Sequence, residues 1–177
     1  MKELKVNNVH AFVMAFKGRA TKLDGGFFSD VYLSSDKKRA YKISKANNPD
    51  PVYIEYIEQT KKYKGNPFLP VVYQVAHVTE GMNFNCGVYI ISMELLNTVF
   101  TGSRDTERLY RQLADLVQET VDYGEALPKS QDVLEQALQC VVDAKNNVKS
   151  FVDIGSTNIM RRGEQLVITD PLGSSGG

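Results

Sequence analysis

The stretch SFVDIGSTNIMRRGEQLVITDPLG, Ser150 to Gly173, carries Asp153, then Asn158 five residues on, then Asp170 twelve beyond that. Ile159 to Thr169 has the alternating apolar pattern of a β-hairpin. A hairpin brings its two ends together, so Asn158 and Asp170 are expected side by side despite their separation in the chain. Carboxylate and amide oxygens are the hard ligands that Mg²⁺ prefers, and substrate phosphates complete its octahedron. One reading of the stretch is therefore a magnesium-nucleotide site. The other is a surface turn followed by a hairpin, and the remainder of the chain has to choose.

The 177 residues fit one domain of two lobes or layers. Apolar residues at 42 % and charged residues at 24 % give an ordinary globular profile, able to bury a core. Lys+Arg and Asp+Glu balance at 21 each, and no basic tract exceeds Lys-Lys-Arg, so there is no electrostatic footprint of a nucleic-acid binder. No apolar run approaches a membrane span, and the first twenty residues are broken by polar ones where a signal peptide is continuous; a cytosolic protein without membrane partners is expected. Cys86 and Cys140 lie far apart without metal-ligand spacing and read as reduced structural thiols. His10 and His77 read as packing or surface residues.

Along the chain, Val9, Phe12, Val13 and Phe16 lie on one helical face within Asn7 to Lys17. From Leu23, strand-forming runs flank the polar Ser-Ser-Asp-Lys-Lys turn, predicting a Gly-containing turn and an antiparallel hairpin. Pro51 opens a helix behind Asp50, with Val52, Tyr53, Tyr56, Ile57 and Tyr63 as its stripe, ending at Gly65 before Pro67. Two further strands follow, the second too continuously apolar to have an exposed face. Ser103 is placed as the cap of a helix that buries Leu109, Leu113, Leu116, Val117 and Val121. Pro128 and Ser130 are placed at the start of another, with Leu134, Leu138, Val141, Val142 and Val148 inward. The terminal Gly-Ser-Ser-Gly-Gly reads as a flexible tail or a cloning scar. The expected plan is α+β, an antiparallel sheet with its helix first and a helical layer second.

Other residues bear on the opening question. The backbone at Gly25 and Gly26 can approach phosphates closely and present amide N–H groups to an anion, with Phe28 and Val31 covering the loop tip and a base. Gly-Gly ahead of a strand is also the sequence of a plain turn. Sixteen residues after Gly26, Lys42 sits among strand formers. A half-buried ammonium needs an anionic partner, either nucleotide phosphates or Glu55 or Glu58 of the next helix. A strand-edge Lys pointing to solvent is the alternative.

In order and spacing, these features resemble the protein-kinase signature set: Gly-rich loop, strand Lys, helix Glu, catalytic-loop Asp with an Asn five residues on, and a metal-binding Asp after a hairpin. More narrowly, LDGGFFSDVY, AYKI, FLPVVYQV and DIGSTNIM followed by VITDPL look like the early-gene protein kinases of short-tailed bacteriophages, over about Leu23 to Leu172. The resemblance implies a minimal bilobal kinase-like fold with an antiparallel-sheet N-lobe and a short helical C-lobe: residues 1–22 a helical extension, 23–96 the N-lobe, and 97–177 a truncated C-lobe. It assigns Gly26 and Ser29 to the second and third glycine positions of the phosphate loop, Lys42 to the α/β-phosphates with Glu55 or Glu58 as its strut, Met93 to the gatekeeper, and Glu94 to Leu96 to the adenine hinge. Asp153 would orient the substrate hydroxyl and accept its proton, and Asn158 and Asp170 would bind Mg²⁺.

Departures from that pattern are specific. Phe151 and Val152 replace the usual His-Arg pair, Gly155 stands where a Lys or His is expected, and Asp24 stands at the first loop glycine. Neither helix Glu is clearly in register. Only seven residues follow Asp170, so an activation segment and a peptide-docking region are not expected within this chain. The function expected is an ATP- and Mg²⁺-dependent serine/threonine protein kinase of phage type, phosphorylating host proteins in an infected bacterial cytosol. The alternatives are a catalytically weak module of the same fold that binds and antagonises a host protein, and a small-molecule phosphotransferase.

Overall fold

A computed structural model of the chain describes residues 1–44, 50–80, 83–99, 104–123, 132–155 and 157–174, with backbone only for 83–86 and 122–123. The fold is α+β and divides into two compact units, Met1–Asp50 with Val72–Leu95, and Pro51–Val71 with Leu96–Gly177.

The first unit comprises β1 (Lys2–Val6), α1 (Val9–Lys17), β2 (Thr21–Gly25), β3 (Ser29–Leu33), β4 (Arg39–Ser44), β5 (Val72–Glu80) and β6 (Asn83–Glu94). They form one six-stranded sheet in the order β1-β5-β6-β4-β3-β2. The five strands from β5 to β2 are antiparallel neighbours, but β1 runs parallel to β5. The sheet is therefore mixed rather than antiparallel, and residues 1–22 contribute a strand as well as a helix. Only Leu4 and Val6 mark β1 as amphipathic, too short an alternation to stand out beside the helical period that follows.

The Asn8 side chain caps α1 by accepting from Ala11 N at 2.8 Å. The expected face, Val9, Phe12, Val13 and Phe16, packs on Tyr32, Ile43, Val78, Val88 and Ile90 of the sheet. On that same face Asp30 receives Lys17 of α1 at 3.2 Å and Lys22 of β2 at 2.8 Å.

The second unit comprises α2 (Pro51–Thr60) with a 3-10 turn at Lys61–Tyr63, β7 (Asn97–Thr98), α3 (Arg104–Tyr123), α4 (Val133–Asn147), β8 (Ser150–Val152), β9 (Ile159–Arg162), β10 (Gln165–Ile168) and β11 (Leu172–Ser174). α2 packs on α4 and β11, so residues 51–71 leave the continuous 23–96 span expected for one lobe. The cause is its stripe: Val52, Tyr53, Tyr56 and Ile57 are all buried.

In α3 the buried row is Leu113, Val117 and Val121, while Leu109 is 46 % and Leu116 36 % exposed, contrary to expectation. A single i, i+4, i+8 row is enough for a helix whose main neighbour is α4, with β8 a lesser one. α4 starts at Val133 behind the N-cap Asp132, whose carboxylate accepts from Leu134 N and Glu135 N. Leu138, Val141 and Val142 are buried as expected, whereas Leu134 and Val148 are half-buried. Ser103, Pro128 and Ser130 lie outside the described residues. Cys140 is a buried free thiol, its pKa pushed up by burial. No described helix is long and apolar enough to cross a membrane.

Two predictions arise. The buried Tyr56 hydroxyl donates to the Ile168 carbonyl at 2.7 Å. Tyr56→Phe leaves that carbonyl unsatisfied and should lower stability by about 1–3 kcal/mol, read from the urea midpoint at unchanged m-value.

The second concerns acid. Burial raises the Asp30 carboxyl, but hydrogen bonds from Lys22 and Lys17 outweigh it and leave its pKa below the ordinary 3.8. A depressed carboxylate stabilises the fold above the unfolded-state pKa of about 4 and loses that contribution as pH falls through the folded value. The gap in Tm between wild type and Asp30→Asn should be steady near neutral pH and shrink below about pH 4, which melting curves across pH will check.

Candidate functional site

The second unit brings three of the expected site residues together through hydrogen bonds. β9 and β10 form an antiparallel hairpin whose outermost pair is Ile159 with Ile168. Its two-residue turn places Gly163 at φ +62°, a backbone position that suits glycine and the twist of the strands. At the open end the Asn158 carbonyl accepts from Thr169 N at 2.8 Å and from Asp170 N at 3.2 Å. β8 pairs with β11, and beside that pair Asp153 N donates to the Pro171 carbonyl at 2.9 Å. Asp153 thus neighbours Pro171 while Asn158 neighbours Asp170, and the three residues occupy one end of two adjoining β-pairs.

Side chains complete the arrangement. Asn158 Nδ2 donates to the Asp153 carbonyl at 2.6 Å, which fixes the amide orientation and leaves Oδ1 as the outward acceptor. Thr157 Oγ1 approaches that Oδ1 at 3.3 Å, and Thr169 Oγ1 donates to the Thr157 carbonyl at 3.1 Å. Asp153 is exposed, Asn158 and Asp170 are half-buried, and Ser156 lies outside the described residues. The vacancy left by Gly155 is not forced by crowding: a Cβ there would come no nearer than 3.6 Å to the Asn158 amide, an ordinary contact.

In the first unit, strand register places Val31, Lys42 and Ile91 in one row, and Leu33, Ala40 and Met93 in the next. Registered partners share a sheet face, so Val31, Lys42 and Met93 all lie on the face opposite α1. Lys42 is half-buried and Met93 buried; Glu94 ends β6, and Leu96, also buried, opens the following segment.

The glycine turn joins β2 to β3 with Phe27 exposed at its tip and Phe28 edge-on to it. Both glycine amides have internal acceptors: Gly25 N donates to Asp24 Oδ1 at 2.7 Å and Gly26 N to the Ser29 carbonyl at 2.8 Å. Neither glycine has a positive φ. At Gly25 the requirement is space, since a Cβ would lie 2.7 Å from Asp30 Oδ1 and 2.9 Å from Lys22 Nζ. Asp30 and Lys22 are not legible as partners of this turn from the sequence, where the local trace is an Asp-Gly-Gly run facing an Asp one strand away.

The two candidate struts have partners within their own unit. Glu55 accepts from Asn147 Nδ2 at 2.7 Å and from Gln59, and these bonds hold its carboxyl below the usual range. Glu58 pairs with Lys61 one turn on. Burial pushes the Tyr56 phenol well up, and the charge of Asp170 adds to that effect. Among the described residues no cluster of three His, Cys, Asp or Glu side chains is present.

Asn158→Asp tests the amide's role, because a carboxylate would face the Asp153 carbonyl without a donor between them. The expected cost is about 1–2 kcal/mol in the absence of any ligand, read as a lowered urea midpoint. The amino-acid sequence matches no protein-family model and no curated protein.

Proposed function

We propose that the chain is a minimal ATP- and Mg²⁺-dependent protein kinase of the phage type, acting on serine or threonine of host bacterial proteins. The observation that carries this reading is the linking of Asp153, Asn158 and Asp170 within one compact unit, Asp170 N–H to the Asn158 carbonyl and the Asn158 side-chain amide to the Asp153 carbonyl. The donor chemistry suits Mg²⁺: Asp170 supplies a carboxylate, and Asn158 supplies an amide oxygen whose outward orientation is fixed by the bond to Asp153. Bound there, Mg²⁺ would neutralise charge on the nucleotide phosphates.

The remaining roles fall to the chain's own groups. Asp153, exposed and with its backbone held at both N–H and carbonyl, accepts the proton of the attacking hydroxyl. The hydroxyl oxygen forms a bond to the γ-phosphorus as the bond from that phosphorus to the bridging oxygen breaks, and ADP leaves. Lys42 is assigned to the α/β-phosphates, and Val31 and Met93, on the same sheet face, to the base. Positioning and charge neutralisation supply most of the rate in such a site.

One observation favours a second reading, a nucleotide-poor module that antagonises a host protein. The Gly25 amide is already engaged by Asp24, so phosphate at that loop must displace a carboxylate. Transfer of labelled γ-phosphate from Mg-ATP decides between them. In a bacterial lysate, wild type should label host proteins, and Asp153→Ala should lose about 10²–10⁴-fold in rate, the usual contribution of a positioned base. Lys42→Ala should lose labelling as well. Consumption of ATP only when a metabolite extract is added would indicate a small-molecule acceptor. No transfer to any acceptor would overturn the kinase reading in favour of the antagonist.

A further inference from the structure

β2 has no buried side chain, so the usual determinant of strand register, an apolar set that must face the core, is missing from it. The strand nevertheless carries a bulge between Lys22 and Asp24 and delivers Gly25 opposite Asp30. An extra residue in an edge strand without apolar anchors is free to move along the strand unless something holds it on both sides.

Asp30 meets that need. Among the described residues it is the one buried charged side chain, at 9 % exposure, and its two carboxylate oxygens are divided between two elements. Oδ1 takes Lys22 at 2.8 Å, and Oδ2 takes Lys17 of α1 at 3.2 Å. Lys22 is the register partner of Tyr32, and Asp30 that of Gly25, so the Lys22–Asp30 pair runs diagonally across the bulge. Gly25 completes the fit: a Cβ there would lie 2.7 Å from Asp30 Oδ1 and 2.9 Å from Lys22 Nζ, so a side chain at this position has to push the ion pair aside.

We propose that Asp30 is a positioning residue for the glycine turn, fixing through Lys22 and Lys17 the register at which Gly25 and Gly26 are presented. This deepens the kinase reading and rests on it for the nucleotide's part. The cluster lies on the α1 face of the sheet, whereas Val31 and Lys42, assigned to the nucleotide, lie on the opposite face. Asp30 therefore acts through the turn and does not touch the ligand. α1 becomes part of the same device, because its last residue, Lys17, holds the second carboxylate oxygen.

The test combines amide hydrogen exchange at Gly25 and Gly26 with steady-state kinetics for Mg-ATP, in wild type, Asp30→Asn, Asp30→Glu and Lys22→Met. Lys22→Met leaves Asp30 its Lys17 partner and guards against a variant that fails to fold. Exchange at the two glycines should rise about tenfold in Asp30→Asn and Lys22→Met, in line with loss of a charge-assisted hydrogen bond. Amides of β5 and β6 should be unaffected. KM for Mg-ATP should rise several-fold with kcat held within about twofold, and Asp30→Glu should recover part of both effects. Unchanged exchange at Gly25 and Gly26 in the folded variants overturns the proposal, whatever the kinetics. Raised exchange in a protein whose wild type binds no nucleotide upholds the positioning of the turn and defeats the kinase reading instead.

Discussion

The carbonyl of Asn158 accepts two hydrogen bonds, from the amides of Thr169 and Asp170, and the candidate site depends on that single atom. A carbonyl oxygen has two lone pairs, and using both locks two successive residues of one strand end against one residue of the other. Asp170 is thereby prevented from swinging away as the chain leaves β10. The next residue, Pro171, offers its carbonyl to Asp153, so the same three-residue step from Thr169 to Pro171 anchors both halves of the loop. Proline suits this place because it has no N–H to satisfy and restricts the backbone where the chain changes partner from Asn158 to Asp153.

What holds that step in place is the far side of β10. Ile168, besides pairing with Ile159, gives its N–H to the Phe68 carbonyl at 2.8 Å and receives the Tyr56 hydroxyl on its own carbonyl. Arg162 reaches the carbonyls of Pro67 and Leu69 from β9, both at 3.1 Å. Residues 66–69 thus act as a clamp on the hairpin, and Asn66 ties the clamp to α4 by donating to the Val133 carbonyl at 2.6 Å. The Arg162 guanidinium fork meets two backbone carbonyls at once, which ties the hairpin to this segment.

Local periodicity made much of this legible. The β9–β10 hairpin, the β3–β4 hairpin about its polar turn, the buried face of α1 and the start of α2 at Pro51 all follow from spacing that a reader sees within a dozen residues. The proximity of Asn158 and Asp170 follows from the hairpin alone. What was hidden is non-local. β1 exists because β5, some seventy residues on, offers an edge. The partner of Glu55 is Asn147, on a helix that nothing near Glu55 announces. The stripe expected for α3 is too wide because Leu109 and Leu116 continue the apolar period although they stay partly exposed. For β1 and Glu55 the partner lies on another element, beyond the reach of a sequence window.

Gly25 carries a structural demand of its own beside the one its sequence context suggests. A glycine ahead of a strand suggests either a left-handed turn or close approach by a ligand. Here its φ is ordinary, and the close approach comes from within, from Asp30 and Lys22 lying against its α-carbon. Its amide is turned to the other neighbour, Asp24. The two demands are compatible because they fall on different atoms: the ion pair needs the absent side chain, and an arriving phosphate needs the N–H. Asp24 thus satisfies that N–H with a carboxylate from within the turn. On the kinase reading proposed above, a phosphate arriving at this turn would have to displace that carboxylate.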